Sequence, residues 1–155
     1  MNTDQKREEG RFRGKHDQIT ESVLRVFYEV YNELGGGFLE SVYHVAFALA
    51  LKQSGLQIES QVAVPVSFRG IVVGDFRADL IVNGAVLLEL KALQALERAH
   101  EAQILHYLRA TPLEVGLLFN FGPKPQFRRF LLDNSEKKIR VHPCESVVSF
   151  KEGAE

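Results

Sequence analysis

Cysteine is nearly absent from this sequence: Cys144 is the only one in 155 residues. No internal disulfide can form, and no Cys-rich zinc site can be built. No apolar run approaches the roughly 18–20 residues of a membrane-spanning helix. Met1 to Lys15 is polar and carries no apolar signal segment. These absences lead to the expectation of a cytoplasmic protein with no membrane partner. An excess of one charge is missing too. The formal net charge is −1, which excludes a chain that coats nucleic acid by bulk electrostatics. Any such contact must use local basic patches. Two exist: Lys6, Arg7, Arg11, Arg13 and Lys15 near the start, and Lys124, Arg128, Arg129, Lys137, Lys138 and Arg140 later on. The plain reading of both is solvated surface. No glycine-rich phosphate loop is present. Gly35-Gly36-Gly37 lacks the Walker lysine and follows a helical pattern rather than a strand. No serine nucleophile elbow is present, and Cys144 has no activating context. There is no internal repeat and no low-complexity tract.

What is present suits one domain. Hydrophobic residues make up 45% and charged residues 25%, enough for a sizeable core under a polar surface. Residues 1–15 read as a flexible arm. Ile19, Val23, Val26, Val30 and Leu34 recur at helical spacing, with Asp17 as N-cap and Gly35-Gly36-Gly37 as terminator. A second helix is expected from about Leu39 to Gln53, burying Val42, Val45, Ala46, Leu49 and Ala50, with Gly55 as its C-terminal cap. The pattern then alternates. Val62 to Phe68 is one strand and Arg69-Gly70 a turn. Ile71 to Val73 is strand again, Gly74-Asp75 an interruption, and Phe76 to Val82 its resumption. Asn83-Gly84 signals a hairpin, and Val86 to Leu90 returns. A third helix spans about Gln94 to Arg109 and stops before Thr111-Pro112. Val115 to Phe121 is an apolar strand buried on both faces. Gly122-Pro123 and Pro125 break it. Phe127 to Leu132 and Ile139 to His142 are weaker strands, and 151–155 a frayed end. The order implies an α/β domain with a central mixed sheet.

Parity tests the central hairpin. A two-residue Asn83-Gly84 turn pairs Val82 with Ala85 and sends Asp79 and Glu89 to opposite faces. A three-residue loop, Asn83-Gly84-Ala85, pairs Val82 with Val86, Leu80 with Leu88 and Ala78 with Leu90 on one apolar face. The other face then pairs Asp79 with Glu89, Ile81 with Leu87 and Arg77 with Lys91. Burial of one face selects the second register. Two carboxylates directly opposite each other repel, and a divalent cation removes that cost. Oxygen ligands suit magnesium or manganese rather than zinc. Lys91 shares the face and can reach a metal-bound water or a phosphate oxygen. Such a site suits phosphodiester hydrolysis. The plain alternative is a surface ion-pair cluster of Asp79, Glu89, Arg77 and Lys91.

Further candidates lie on the helices. Glu40, in the first turn of the second helix, either favours the helix dipole or adds a third carboxylate. Tyr43 follows three residues later. His100, Gln103 and Tyr107 share one face of the third helix. Gln103 could order water or phosphate there, or be a core-edge amide. His100 on its own reads more simply as structural.

Gly37-Phe38-Leu39-Glu40-Ser41-Val42-Tyr43 has the form G-x-x-E-x-x-Y. With Asp79, Glu89-Leu90-Lys91 and Gln103…Tyr107, the ordered set resembles a GxxExxY family protein, a family similar to the PD-(D/E)XK nuclease superfamily. The resemblance covers about residues 16–122. Asp79 with Glu89-Leu90-Lys91 matches D…E-x-K, although Ala78 stands where the superfamily name has proline. Gln103 and Tyr107 match the Q-x-x-x-Y helix of RecB-like members. The resemblance implies a restriction-endonuclease-like α-β-β-β-α-β core, with a central mixed sheet flanked by helices, as one domain over residues 16–150. It implies a metal-dependent nuclease acting on DNA or RNA, using magnesium or manganese. Asp79 and Glu89 would hold the metal, with Glu40 and the Leu90 carbonyl as further ligands. Lys91 would act on the attacking water and the phosphate, Gln103 would orient them, and Tyr107, Tyr43 and His100 would support the site. A catalytically silent binding module is the alternative. A nuclease active only with a partner is a third reading; a homo-oligomer stays open, and the protein partner is unknown.

Overall fold

Residues 16–137 are described in a computed structural model. The proposed arm at 1–15, the expected strand at Ile139 to His142, Lys138, Arg140, Cys144 and the end at 151–155 lie outside the described residues. The element order is α1 (Asp17–Leu34), α2 (Glu40–Gln53), β1 (Ile58–Phe68), β2 (Ile71–Val82), β3 (Val86–Lys91), α3 (Arg98–Ala110), β4 (Val115–Phe121) and β5 (Pro125–Leu131). The five strands form one sheet in the order β1-β2-β3-β4-β5. Only β3 and β4 run parallel, joined by the α3 crossover as parallel strands require. This is the mixed, helix-flanked sheet of a restriction-endonuclease-like fold. No helix among the described residues is long and apolar enough to cross a membrane.

Both faces of the sheet are covered. One carries α1 and α2, packed on Leu80, Val82, Val86, Leu88, Leu90, Val115, Leu117, Phe119 and Phe121. The other carries α3, packed on Ala78, Ile81, Leu87 and Leu118 through Ile104, Tyr107 and Leu108. Burial on both faces explains the continuous apolar runs of β3 and β4. An aromatic group knits the first layer. Phe27 lies 4.5 Å from Phe119 and 4.9 Å from Phe121, and Tyr43 stacks on Phe121 at 4.6 Å.

The hairpin register is the one that alternation selects: Leu80↔Leu88, Ile81↔Leu87 and Val82↔Val86, with Ala85 N donating to Val82 O across Asn83-Gly84-Ala85. Asn83 and Gly84 both take positive φ, the backbone that asparagine and glycine tolerate best.

Other expectations are corrected. Gly74 and Asp75 do not interrupt a strand, because they pair with Val66 and Pro65 of β1. Pro125 starts β5 rather than breaking the chain before it. His16, not Asp17, occupies the N-cap of α1; Asp17 instead bonds Arg129 at 2.9 Å. Helix α3 begins at Arg98, later than Gln94, behind a capping box of Glu97 and His100. The buried side of α2 is Tyr43, Phe47, Ala48 and Leu51, while Val42, Val45 and Leu49 face outward. That helix is apolar nearly all round, so periodicity selects no face, and the two aromatic side chains claim the interior with the larger buried area. Ala78 and Leu90 do not share a face either: Ala78 joins the α3 cluster and Leu90 the α1/α2 cluster. Alternation on β2 breaks at Asp79, opposite a positive φ at Gln61, while the β1–β2 register itself runs unshifted from Ser60↔Leu80 to Val62↔Ala78.

Three chain segments crowd at the end of the sheet where β3 and β4 finish. Asn120 donates to Leu93 O at 3.0 Å and accepts from Leu93 N at 2.9 Å. The Tyr31 hydroxyl lies 2.7 Å from Gly122 O. A Cβ added at Gly122 would overlap the Leu93 carbonyl, main chain against main chain, whereas one added at Gly116 would meet only the flexible tips of Ile104 and Leu108. Chemical denaturation should therefore separate two alanine variants. Gly122→Ala is expected to lose about 2–3 kcal/mol and Gly116→Ala about 1 kcal/mol, and equal losses would show that the Leu93 clamp is not tight.

Candidate metal centre

Strands β2 and β3 pair over only three positions before they part. Beyond that point β3 stays with β4 as far as Lys91↔Asn120, and β2 runs on with β1. Parting strands leave main-chain N–H groups that need acceptors. Two side chains supply them. Asp79 N donates to Glu89 Oε1 at 3.2 Å, and Leu90 N donates to Asp79 Oδ2 at 2.7 Å. Asp79 and Glu89 thus come together as the three-residue loop requires, each fixed to the other's strand.

The electrostatics are unusual for carboxylates. Glu89 is only 4% exposed. Burial, and then the adjacent Asp79 carboxylate, push its proton affinity up to about 8, against the pull of Asp79 N–H and Lys91. Glu40 is raised too, first by burial; Lys91 and His44 oppose the shift and Asp79 adds to it. Glu40, at the start of α2, therefore feels the same charges as the β-strand pair. Tyr107 is raised by burial and then by Glu89 and Asp79, while its bond to Gln103 acts the other way. Gln103 Nε2 donates to the Tyr107 hydroxyl at 3.0 Å, which leaves the tyrosine proton for another acceptor. Lys91 is half-buried and acts on both Glu89 and Glu40.

Not every sequence candidate joins this group. Leu90 meets the group through its main chain alone, its N–H donating to Asp79, with its side chain in the core. Tyr43 is wholly buried; its hydroxyl donates to Gly35 O at 2.6 Å and accepts from Phe38 N at 3.2 Å. It ties down the loop that delivers Glu40, which accounts for the tyrosine three residues after that glutamate. His100 Nδ1 accepts from Glu97 N at 3.0 Å, so this ring is used in the helix cap. Arg77 bonds Gln61 O at 3.1 Å and is not paired with Lys91, because the β2–β3 ladder ends at Leu80. The later basic patch is partly consumed as well. Arg129 meets Asp17, and Lys137 is buried, donating to Thr111 O and Leu113 O at 2.8 Å each. Two contributors escaped the sequence reading. Asn120 clamps the chain just beyond Lys91; its signal was a lone amide inside an apolar strand. His44 sits within reach of Glu40's charge, four residues along the same helix.

Among the described residues no three His, Cys, Asp or Glu side chains stand close enough to make a ready-made metal cage. The donor set nevertheless fits a hard divalent ion. Magnesium usually takes one or two carboxylates and keeps several waters. A buried carboxylate that prefers a proton beside a second carboxylate is a place where a cation can replace that proton.

The family model that matches the chain is that of the PD-(D/E)XK nuclease superfamily, over residues 17–130. Among solved structures, SSO0001 aligns at 18% identity and a TM-score of 0.46, over 88% of this chain and 68% of that one. An alkaline exonuclease from Laribacter hongkongensis aligns at 11% identity and a TM-score of 0.37, over 68% of this chain and 63% of the exonuclease. No curated protein matches the sequence significantly.

Proton binding by Glu89 yields a pH dependence. Its affinity is about 8 when folded against 4.5 ordinarily. The folded state gains from the proton fully below about 4.5, and loses that gain as pH rises through 8. Melting in the presence of a chelator should fall by several degrees, on the order of 5 °C, between pH 5 and 8.5. Glu89→Gln should flatten the curve, and millimolar manganese should restore the wild type at pH 8. A wild-type curve as flat as that of Glu89→Gln would refute the raised affinity.

Proposed function

The chain belongs to the PD-(D/E)XK nuclease superfamily, and from that membership we propose that it is a metal-dependent nuclease hydrolysing phosphodiester bonds of nucleic acid. The observation that carries the reading is the pair Asp79 and Glu89, each locked by a main-chain N–H where the strands part. The ordered G-x-x-E-x-x-Y, D, E-x-K and Q-x-x-x-Y set supports placing the chain among GxxExxY proteins, with residues 16–150 as the nuclease-like domain and 1–15 as an arm.

In this proposal Asp79 and Glu89 hold magnesium or manganese, with the Leu90 carbonyl and Glu40 as further ligands, Glu40 directly or through water. The ion, when bound, supplies a Lewis acid for a phosphate oxygen and lowers the pKa of the attacking water. Lys91 presents its ammonium to the same space and stabilises charge as it develops on the phosphate. Gln103 holds the Tyr107 hydroxyl by the 3.0 Å bond, so that the tyrosine proton can meet water or a phosphate oxygen. Tyr43 positions rather than reacts, by fixing the loop ahead of Glu40. His100 supports the site through the cap of α3.

A second reading is a catalytically silent binding module. The lack of a three-residue cage among the described residues and the formal charge of −1 favour it. Assays on single- and double-stranded DNA and RNA with millimolar manganese separate the two. A nuclease predicts cleavage that falls on the order of 10²–10³-fold in Asp79→Asn and Lys91→Met, with calorimetric manganese binding lost only in Asp79→Asn. A wild type that neither binds manganese nor cuts any substrate would leave the binding module standing.

A further inference from the structure

Where β2 has parted from β3 it is paired only with β1. Phe76 stands on this stretch, opposite Val64. Val64 is 2% exposed and packs with Ala78 in the α3 cluster, so the main chain beneath Phe76 is fixed. The Phe76 ring is not sealed in the same way: it is 44% exposed. Its inner neighbour is Tyr107, at 5.7 Å between ring centroids and a tilt of 60°. At that tilt the two rings are not stacked, and the exposed side of Phe76 is left for another plane. The outer end of the ring lies along Gly74, where an added Cβ would stand 3.6 Å from Cε2, so the residue beside the ring brings no side chain to cover it. Tyr107 itself is buried, accepts from Gln103, and stands within reach of the Glu89 and Asp79 charges. Phe76 is therefore the outward end of an aromatic pair whose inner end belongs to the candidate metal centre. Three residues of strand, about 10 Å, separate it from Asp79, the scale on which a base stands from a phosphate of the same strand.

We propose, resting on the nuclease reading, that Phe76 stacks on an unpaired base of the substrate and that the site takes single-stranded nucleic acid. Bases inside a duplex are already stacked and show only their edges in the grooves. A ring fixed beside the site meets the flat side of a base only when that base is unpaired. Charge points the same way. Duplex binding draws mainly on phosphate contacts, whereas the formal net charge is −1 and the later basic patch is partly consumed by Asp17, Thr111 and Leu113. A single strand can be held by stacking together with fewer cations, and Lys91 is the cation next to the pair Asp79 and Glu89. The plain alternative is that Phe76 only packs the ribbon, covering Gly74 and Tyr107.

Fluorescence anisotropy separates these, with a short single-stranded DNA and its blunt duplex as probes and a chelator present so that nothing is cut. The wild type is expected to bind the single strand about 10-fold or more tighter than the duplex, and to quench a 2-aminopurine placed in the strand. Phe76→Leu keeps apolar bulk against Tyr107 but loses the flat face. It should weaken single-strand binding about 10-fold or more and remove the quench at an unchanged melting temperature, and Phe76→Trp should keep both. With manganese, Phe76→Leu should raise KM by a similar factor and leave kcat within about twofold. A wild type that cuts, with Phe76→Leu equal to it in affinity and quench, would overturn the stacking and leave the nuclease reading intact. Single-strand binding through Phe76 without any cleavage would do the reverse. Preference for the duplex, or no binding of either probe, would overturn the proposal. Should Phe76→Leu melt lower, an unquenched 2-aminopurine on the wild type would still overturn it.

Discussion

The separation of β2 from β3 after three paired positions governs this molecule. A continuous ladder would satisfy every main-chain group and leave no opening. Once the strands part, Asp79 N and Leu90 N need acceptors in a half-buried place. Carboxylates from the opposite strand fill both needs. That solution brings two acids side by side, one nearly sealed from water. The tension between hydrogen-bond satisfaction and charge repulsion is eased by a proton on Glu89, whose place a cation takes in the proposed function. Lys91, Glu40, Gln103 and Tyr107 are then arranged around that choice.

The surroundings keep the opening rigid. Tyr43 fixes the turn before Glu40. Asn120 holds Leu93 from both its N–H and its C=O, so the chain leaving Lys91 has little freedom. Gly122 permits the contact by lacking a side chain. These clamps bond main chain rather than solvent, and they sit on strand and helix ends that the aromatic group around Phe119 and Phe121 anchors. Positioning a reactive group from such a frame is more exact than from a loop alone.

Much of this could be read from residues. Alternation chose the three-residue hairpin loop, because only that register puts Leu80, Val82, Val86 and Leu88 together. The same argument joined Asp79 to Glu89, although the superfamily resemblance was needed to bring in Glu40 and Gln103. The failures have physical causes. Ala78 and Arg77 were assigned by extending a perfect period through Asp79, and a backbone irregularity opposite Gln61 breaks that period. Gly74-Asp75 looked like a break, yet a long two-stranded ribbon accommodates glycine where a partner strand supplies pairing. The inner face of α2 was misassigned because Val42, Val45 and Leu49 are as apolar as Tyr43, Phe47 and Leu51. No one-dimensional pattern distinguishes a core face from an exposed one of equal hydrophobicity.

The outermost strands hold one more consequence. Pro65 stands within β1, where it has no N–H to offer a neighbour, and the positive φ at Gln61 distorts the same strand. On the far side β5 starts with Pro125 and carries the exposed Arg128. Each is a device that discourages an incoming strand from docking on a sheet edge. Among the described residues, both outer strands of the sheet are thus built against pairing with an incoming strand.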